Sequence, residues 1–170
     1  MKLTTKRLNI RPFEVRDVND NYLRWLNDSE VTRFSNQRFR THTVESSSAY
    51  LSSFVGTSNS FLLLELSSNR CPVGTATVYR STEHGTADIG LMIGDRQCWG
   101  KGFGQEAWGK LLEALLAEPG TRKVTGGTAR PNLAMVRIME RSRMTLEAVK
   151  YRHELIDGQP VDLLYYSRFV

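Results

Sequence analysis

Gly100, Gly102 and Gly104 alternate with Lys101 and Phe103, directly after Gln97-Cys98-Trp99 and directly before a helix-like run. Those residue types at that spacing suit the holding of a phosphate. Glycine adopts positive φ and lets a ligand approach the main chain closely, while a helix start offers unpaired N–H groups and a positive dipole end to an anion. A second chemistry is proton handling. Asp88 interrupts the otherwise apolar run Thr86 to Ile93, where a carboxylate could accept a proton or orient a water; it could equally face solvent or pair with an arginine. Glu65, Glu83 and His84 are rivals, with His42 behind them. Asn132, after Pro131 and at the start of another helical run, suits an N-cap worth about 1 kcal/mol.

The elements that must position these groups follow from periodicity. Thr86 to Ile93, between Gly85 and Gly94, reads as a largely buried strand. Ala107, Trp108, Leu111, Leu112, Leu115 and Leu116 recur at helical spacing until Pro119-Gly120. The unit is strand, glycine loop, helix. It lacks the G-x-G-x-x-G of a dinucleotide loop and the G-x-x-x-x-G-K-[ST] of a Walker loop. Further strands are expected at Lys6 to Phe13, Phe61 to Leu66, Val73 to Tyr79 and Lys123 to Thr128. Two more, Val149 to Ile156 and Val161 to Phe169, meet at the hairpin turn Asp157-Gly158. Asp17 is expected to cap a helix bearing Tyr22, Leu23, Trp25 and Leu26, and Thr41 or Thr43 to cap one from Val44 to about Phe54. Asn132 to about Arg141 makes the last helix.

The order Ala87-Asp88-Ile89-Gly90, then Trp99-Gly100-Lys101-Gly102-Phe103-Gly104, then Asn132 opening a helix resembles the GNAT N-acetyltransferase superfamily, and more narrowly its RimJ/RimL-like branch. The similarity runs from Leu3 to Tyr166. It implies a mixed α/β (α+β) domain over residues 1–170, with a mostly antiparallel twisted sheet of about seven strands and about four helices. It also implies that acetyl-CoA is the acyl donor, with the N–H groups from Gly100 to Gln105, together with Trp99, Lys101 and Phe103, around its pyrophosphate. Met92 and Ile93 would lie where the family's strands splay beside the acyl group, Asp88 where relatives often carry glutamate, and Asn132 on the pantetheine arm. The chain departs from the family pattern at Met139, where many members have a tyrosine that protonates the thiolate, and at Ser142-Arg143-Met144. Tyr151, Tyr165 or Tyr166 could replace that tyrosine, as could water.

The segment Trp25 to Phe34 resembles the acceptor-side signature of that branch. Trp25, Arg33, Phe34 and Arg38, with Arg40 and Phe39, could hold a nucleotide diphosphate and stack its base; the same residues would also suit a basic, solvated loop. The implied acceptor is a small primary amine, an amino sugar or nucleotide-linked amino sugar first, then a protein N-terminus. A domain that binds acyl-CoA without turnover is the reading of another class.

Bulk properties fit one domain of 170 residues, with 40% hydrophobic and 24% charged residues. Cys71 and Cys98 stand alone, without disulfide or metal-ligand spacing, so a reduced cytoplasmic setting and no metal are expected. The net charge of +5 would suit an anionic partner, but the basic residues are scattered and Arg137, Arg141 and Arg143 read as a solvated face, so no nucleic acid is expected. No run reaches the length of a membrane span. The family's habits allow a homodimer.

Overall fold

The computed structural model describes residues 1–170. Its strands are β1 (Leu3–Thr4), β2 (Leu8–Pro12), β3 (Ser60–Leu66), β4 (Pro72–Ser81), β5 (Thr86–Ile93), β6 (Lys123–Ala129), β7 (Thr145–Ile156) and β8 (Gln159–Phe169). They form one sheet in the order β1-β2-β3-β4-β5-β6-β8-β7. Every neighbouring pair is antiparallel except β5 and β6. The helices are α1 (Asp20–Leu26), α2 (Ser29–Thr32), α3 (Val44–Ser52), α4 (Phe103–Leu116) and α5 (Leu133–Arg141). Beyond the expected seven strands and four helices stand β1 and α2, which are too short to leave a readable period.

The two faces of the sheet are covered separately. On one, the α4 stripe of Ala107, Trp108, Leu111, Leu112 and Leu115, none more than 1% exposed, packs on Val73, Ala76, Val78, Ala87, Ile89 and Val124. Each leucine so buried stabilises by roughly 2 kcal/mol. The other face carries an aromatic cluster of Phe13, Tyr22, Trp25 and Phe61, with Leu26, Leu63 and, at its border, Tyr50 and Phe54. No helix is long and apolar enough to cross a membrane.

Thr43 caps α3 through Ser46 N–H, whereas α1 differs from expectation. Its cap is Asn19, whose side chain accepts from the N–H groups of Asn21 and Tyr22. Asp17 is buried instead: both its oxygens take the Arg11 guanidinium, at 2.7 and 2.8 Å. Two-point charge-assisted bonding to arginine outweighs a single cap bond.

Candidate active site

Main-chain pairing creates the site. β5 and β6 share three rungs, Thr86↔Lys123, Ala87↔Val124 and Asp88↔Thr125, and no more. Beyond them β5 keeps its pairing with β4 as far as Ile93↔Gly74, and β6 keeps its own with β8 as far as Ala129↔Leu163. Each strand follows its antiparallel partner, so the parallel pair opens as a fork. Along β5 the main-chain groups alternate between neighbours. Met92 turns its carbonyl against Gly74 of β4, and Gly94 N–H donates to Val73 O at 2.9 Å. Leu91 and Ile93 therefore face the opening. Of the two residues expected there, Ile93 lies on the open side and Met92 does not, while Leu91 carried no signal in the sequence.

The glycine loop stands at the open end of the fork. Gly100 and Gly102 have φ of 72° and 82°, and Gly102 is the N-cap of α4. Gly104 lets the helix start close on the strand, since a Cβ there would sit 3.1 Å from Ile138 Cδ1 and 3.6 Å from side-chain atoms of Leu91 and Ile93. None of the six N–H groups from Gly100 to Gln105 donates to an acceptor within the protein. Trp99 anchors the loop to β5 by donating from Nε1 to Ile93 O at 2.7 Å, with Arg96 over its ring. The Gln105 side chain turns inward, donating to Ser142 Oγ at 2.9 Å.

A brace from the N-terminus supports this cradle. Glu106, in the first turn of α4, accepts from the Thr5 hydroxyl at 2.6 Å, from Arg7 N–H at 2.8 Å and from Arg7 Nε at 2.6 Å. Arg7 also donates to Lys101 O at 2.9 Å and covers the Phe103 ring at 4.5 Å. Burial works to raise the Glu106 pKa, but Thr5 and Arg7 outweigh it and the carboxyl is held below its ordinary value. Nothing in the sequence named Arg7. The signal that could have found it is an acid in the first turn beside an anion cradle, which makes sense only if a cation neutralises it.

Asp88 lies at the vertex of the fork, on the face opposite α4. Thr125 Oγ1 donates to its Oδ2 at 2.6 Å, and no basic group pairs with it. Burial pushes its pKa up; the Thr125 bond opposes this in part. The rivals stand elsewhere. Glu65 is buried between Arg11 and Arg70, and Glu83 and His84 are exposed in the β4–β5 turn.

Asn132 acts as the N-cap of α5: Oδ1 accepts from Met135 N–H, and Nδ2 donates to Thr128 Oγ1. Met139 is wholly buried in the core. Tyr166 is buried with its hydroxyl on Glu140, Tyr151 is 80% exposed, and Tyr165 packs over Gly127 beside Lys150.

The acceptor-side residues separate. Trp25 is 6% exposed and fills the space that a side chain at Gly94 would take, so it is a packing residue and not a substrate platform. Arg33 pairs with Asp157 at 2.7 Å. Arg38 donates to Leu155 O at 2.9 Å and lies 3.6 Å from Glu154. Both guanidiniums thus tie residues 29–43 to the β7–β8 hairpin, so the charge that could have held a diphosphate is engaged within the protein. Phe34 is half-buried below Arg33.

Together these features place an anion cradle at the open end of the fork, an unpaired strand edge along it and a carboxylate at its vertex. Unpaired donors fit a pyrophosphate, and an open strand edge fits an extended amide chain. The family profile described as Acetyltransferase (GNAT) domain matches residues 7–145. An uncharacterized N-acetyltransferase p20 of Bacillus licheniformis is 25% identical over 170 residues, covering 97% of this chain and 94% of that protein. The structure of RimL, a ribosomal L7/L12 alpha-N-protein acetyltransferase in complex with coenzyme A, superposes with a TM-score of 0.86 at 15% identity, over 100% of this chain and 98% of that one. Spermidine N-acetyltransferase from Vibrio cholerae in complex with CoA and spermine gives 0.86 at 14% identity, over 97% and 96%. Those two structures share the fold.

Proposed function

The chain belongs to the GNAT acetyltransferase family, and on that premise we propose that it transfers the acetyl group of acetyl-CoA directly to a primary amine. The run of six unpartnered N–H groups from Gly100 to Gln105, beside the open edge of β5, carries this reading. It fits the CoA pyrophosphate at the helix start, with Lys101 adding positive charge, and the pantetheine arm along Leu91 and Ile93. Acetyl-CoA supplies an activated acyl thioester. In the reaction the amine nitrogen forms a C–N bond to the acyl carbon, the C–S bond breaks, and sulfur leaves as the thiol.

The chain's residues arrange that exchange. The N–H groups of Leu91 and Ile93 are the donors for the acyl oxygen, where charge develops. Asp88, directly or through a water, takes the proton from the amine, which must be neutral to attack. Met139 stands at the position of the family's usual tyrosine and the Tyr166 hydroxyl is engaged by Glu140, which supports water as the source of the proton for the sulfur. Cys71 has no base beside it, and Cys98 is buried with its thiol donating to Asp95 Oδ2 at 3.5 Å and its pKa pushed up by burial and that carboxylate. Neither is therefore an activated nucleophile, and direct attack is favoured over a covalent acyl-enzyme.

The acceptor we favour is a small amine, with amino sugars included; a protein N-terminus is the second reading, supported by the likeness to RimL. The nucleotide-linked form loses support because Arg33 and Arg38 are engaged elsewhere. The test is calorimetry with acetyl-CoA followed by thiol release against 1,4-diaminobutane, glucosamine and a serine-leading tripeptide. Binding with turnover supports the proposal. Binding without turnover would favour an acyl-CoA-binding domain, and no binding would end both readings.

A further inference from the structure

One polar pair on the acceptor face takes no part in the reaction as derived. Tyr79 of β4 is the cross-strand partner of Asp88, and facing side chains in an antiparallel pair stand about 5 Å apart at Cβ. Its side chain is substantially exposed, and its hydroxyl meets that of Tyr50 at 2.8 Å. Tyr50, on α3, is fixed edge-on by Phe54 at 5.2 Å and by Phe61 at 5.3 Å; Phe61 in turn stacks on Phe13 at 4.3 Å. The hydroxyl pair is therefore mounted on the buried aromatic cluster and does not swing freely on the surface. Two hydroxyls that share one hydrogen bond retain one O–H and several lone pairs between them. These face the same side of the sheet as Asp88.

We infer that Tyr79, held by Tyr50, is a specificity-determining residue for the acceptor, engaging a hydroxyl or second amine of the substrate so that the reacting nitrogen lies against Asp88. The inference rests on the acetyltransferase reading above. An acceptor with one amine and no second hydrogen-bonding group would lose this contact and be poorly oriented. Tyr79 neither donates nor accepts the transferred proton, so its effect falls on acceptor binding and not on the chemical step.

The experiment is steady-state kinetics of wild type, Tyr79→Phe and Tyr50→Phe, with 1,4-diaminobutane, glucosamine, a serine-leading tripeptide and n-butylamine as acceptors. Tyr79→Phe should raise the KM of the preferred polar acceptor about tenfold, the loss of one hydrogen bond, with kcat and the KM for acetyl-CoA within twofold. It should also erase the preference over n-butylamine. Tyr50→Phe should act in the same direction and more weakly. An unchanged acceptor KM in Tyr79→Phe overturns the inference, as does a wild type that binds acetyl-CoA yet shows no preference among the amines or acetylates none. Failure of the wild type to bind acetyl-CoA overturns the acetyltransferase reading itself and this inference with it.

Discussion

Thr125 Oγ1 donates to Asp88 Oδ2 across the last rung that β5 and β6 share. The fork opens immediately beyond this pair, so the carboxylate is held where main-chain pairing ends and a substrate can enter. Its position explains both its raised pKa and its proposed use.

Asp88→Asn should lower kcat by about 10²-fold, the usual worth of a general base, while acetyl-CoA affinity measured by calorimetry stays nearly constant. The same variant should be at least as thermostable as wild type at neutral pH. A carboxyl whose folded pKa lies above its unfolded value binds protons more readily when folded, so it costs stability as pH rises through that window, and the amide removes the cost. A rate unchanged by this substitution would end the assignment.

Thr125→Val removes the bond that partly offsets the burial of Asp88. The acid limb of the pH–rate profile should move to higher pH, because more alkali is then needed to ionise the carboxyl. A limb that stays in place or moves down would show that Asp88 is not the titrating group.

Gly102→Asp should weaken acetyl-CoA binding more than tenfold. Left-handed backbone costs a residue with a side chain roughly 1–2 kcal/mol, and Gly102 has φ of 82°; the added carboxylate also opposes the bound phosphates. Calorimetry reads the affinity, and circular dichroism checks that the variant is folded.

Glu106→Ala should lower both thermal stability and acetyl-CoA affinity, since Thr5, Arg7 and the loop carbonyl of Lys101 are tied through it. Its pKa is lowered in the fold, so its contribution is present above the unfolded carboxyl range and disappears as pH falls through the folded value. The difference in Tm between wild type and variant should therefore shrink on acidification. A difference that grows would contradict the brace.

Met139→Tyr tests whether the family's usual tyrosine can be restored. The Met139 side chain is wholly enclosed by the core, so a larger, polar one should lower stability by about 1–3 kcal/mol through overpacking and leave kcat no higher. A gain in kcat would mean that this position reaches the sulfur.

Several features were legible from residue order alone. The alternating glycines after a β-branched and apolar run, followed by an amphipathic stripe, specify a strand, a loop with positive φ and a helix by local rules, and all three occur where they were read. Asn132 as a cap and Asp157-Gly158 as a hairpin turn are local in the same way. The fork is not local: it exists because β5 follows β4 while β6 follows β8, a competition between partners far apart in the chain, and it decides that Leu91 and Ile93 face the opening. Arg33 and Arg38 looked like phosphate ligands because a sequence displays charge without its partners, and Asp157 and Glu154 lie more than a hundred residues away. Trp25 fills the space beside Gly94 for a similar reason, since burial belongs to the assembled layers. Sequence determined the turn and helix start of the glycine loop, which need only neighbouring residues. Tertiary structure decided the carboxylate's surroundings and the acceptor side, which are built from strands and loops that meet only when the sheet is complete.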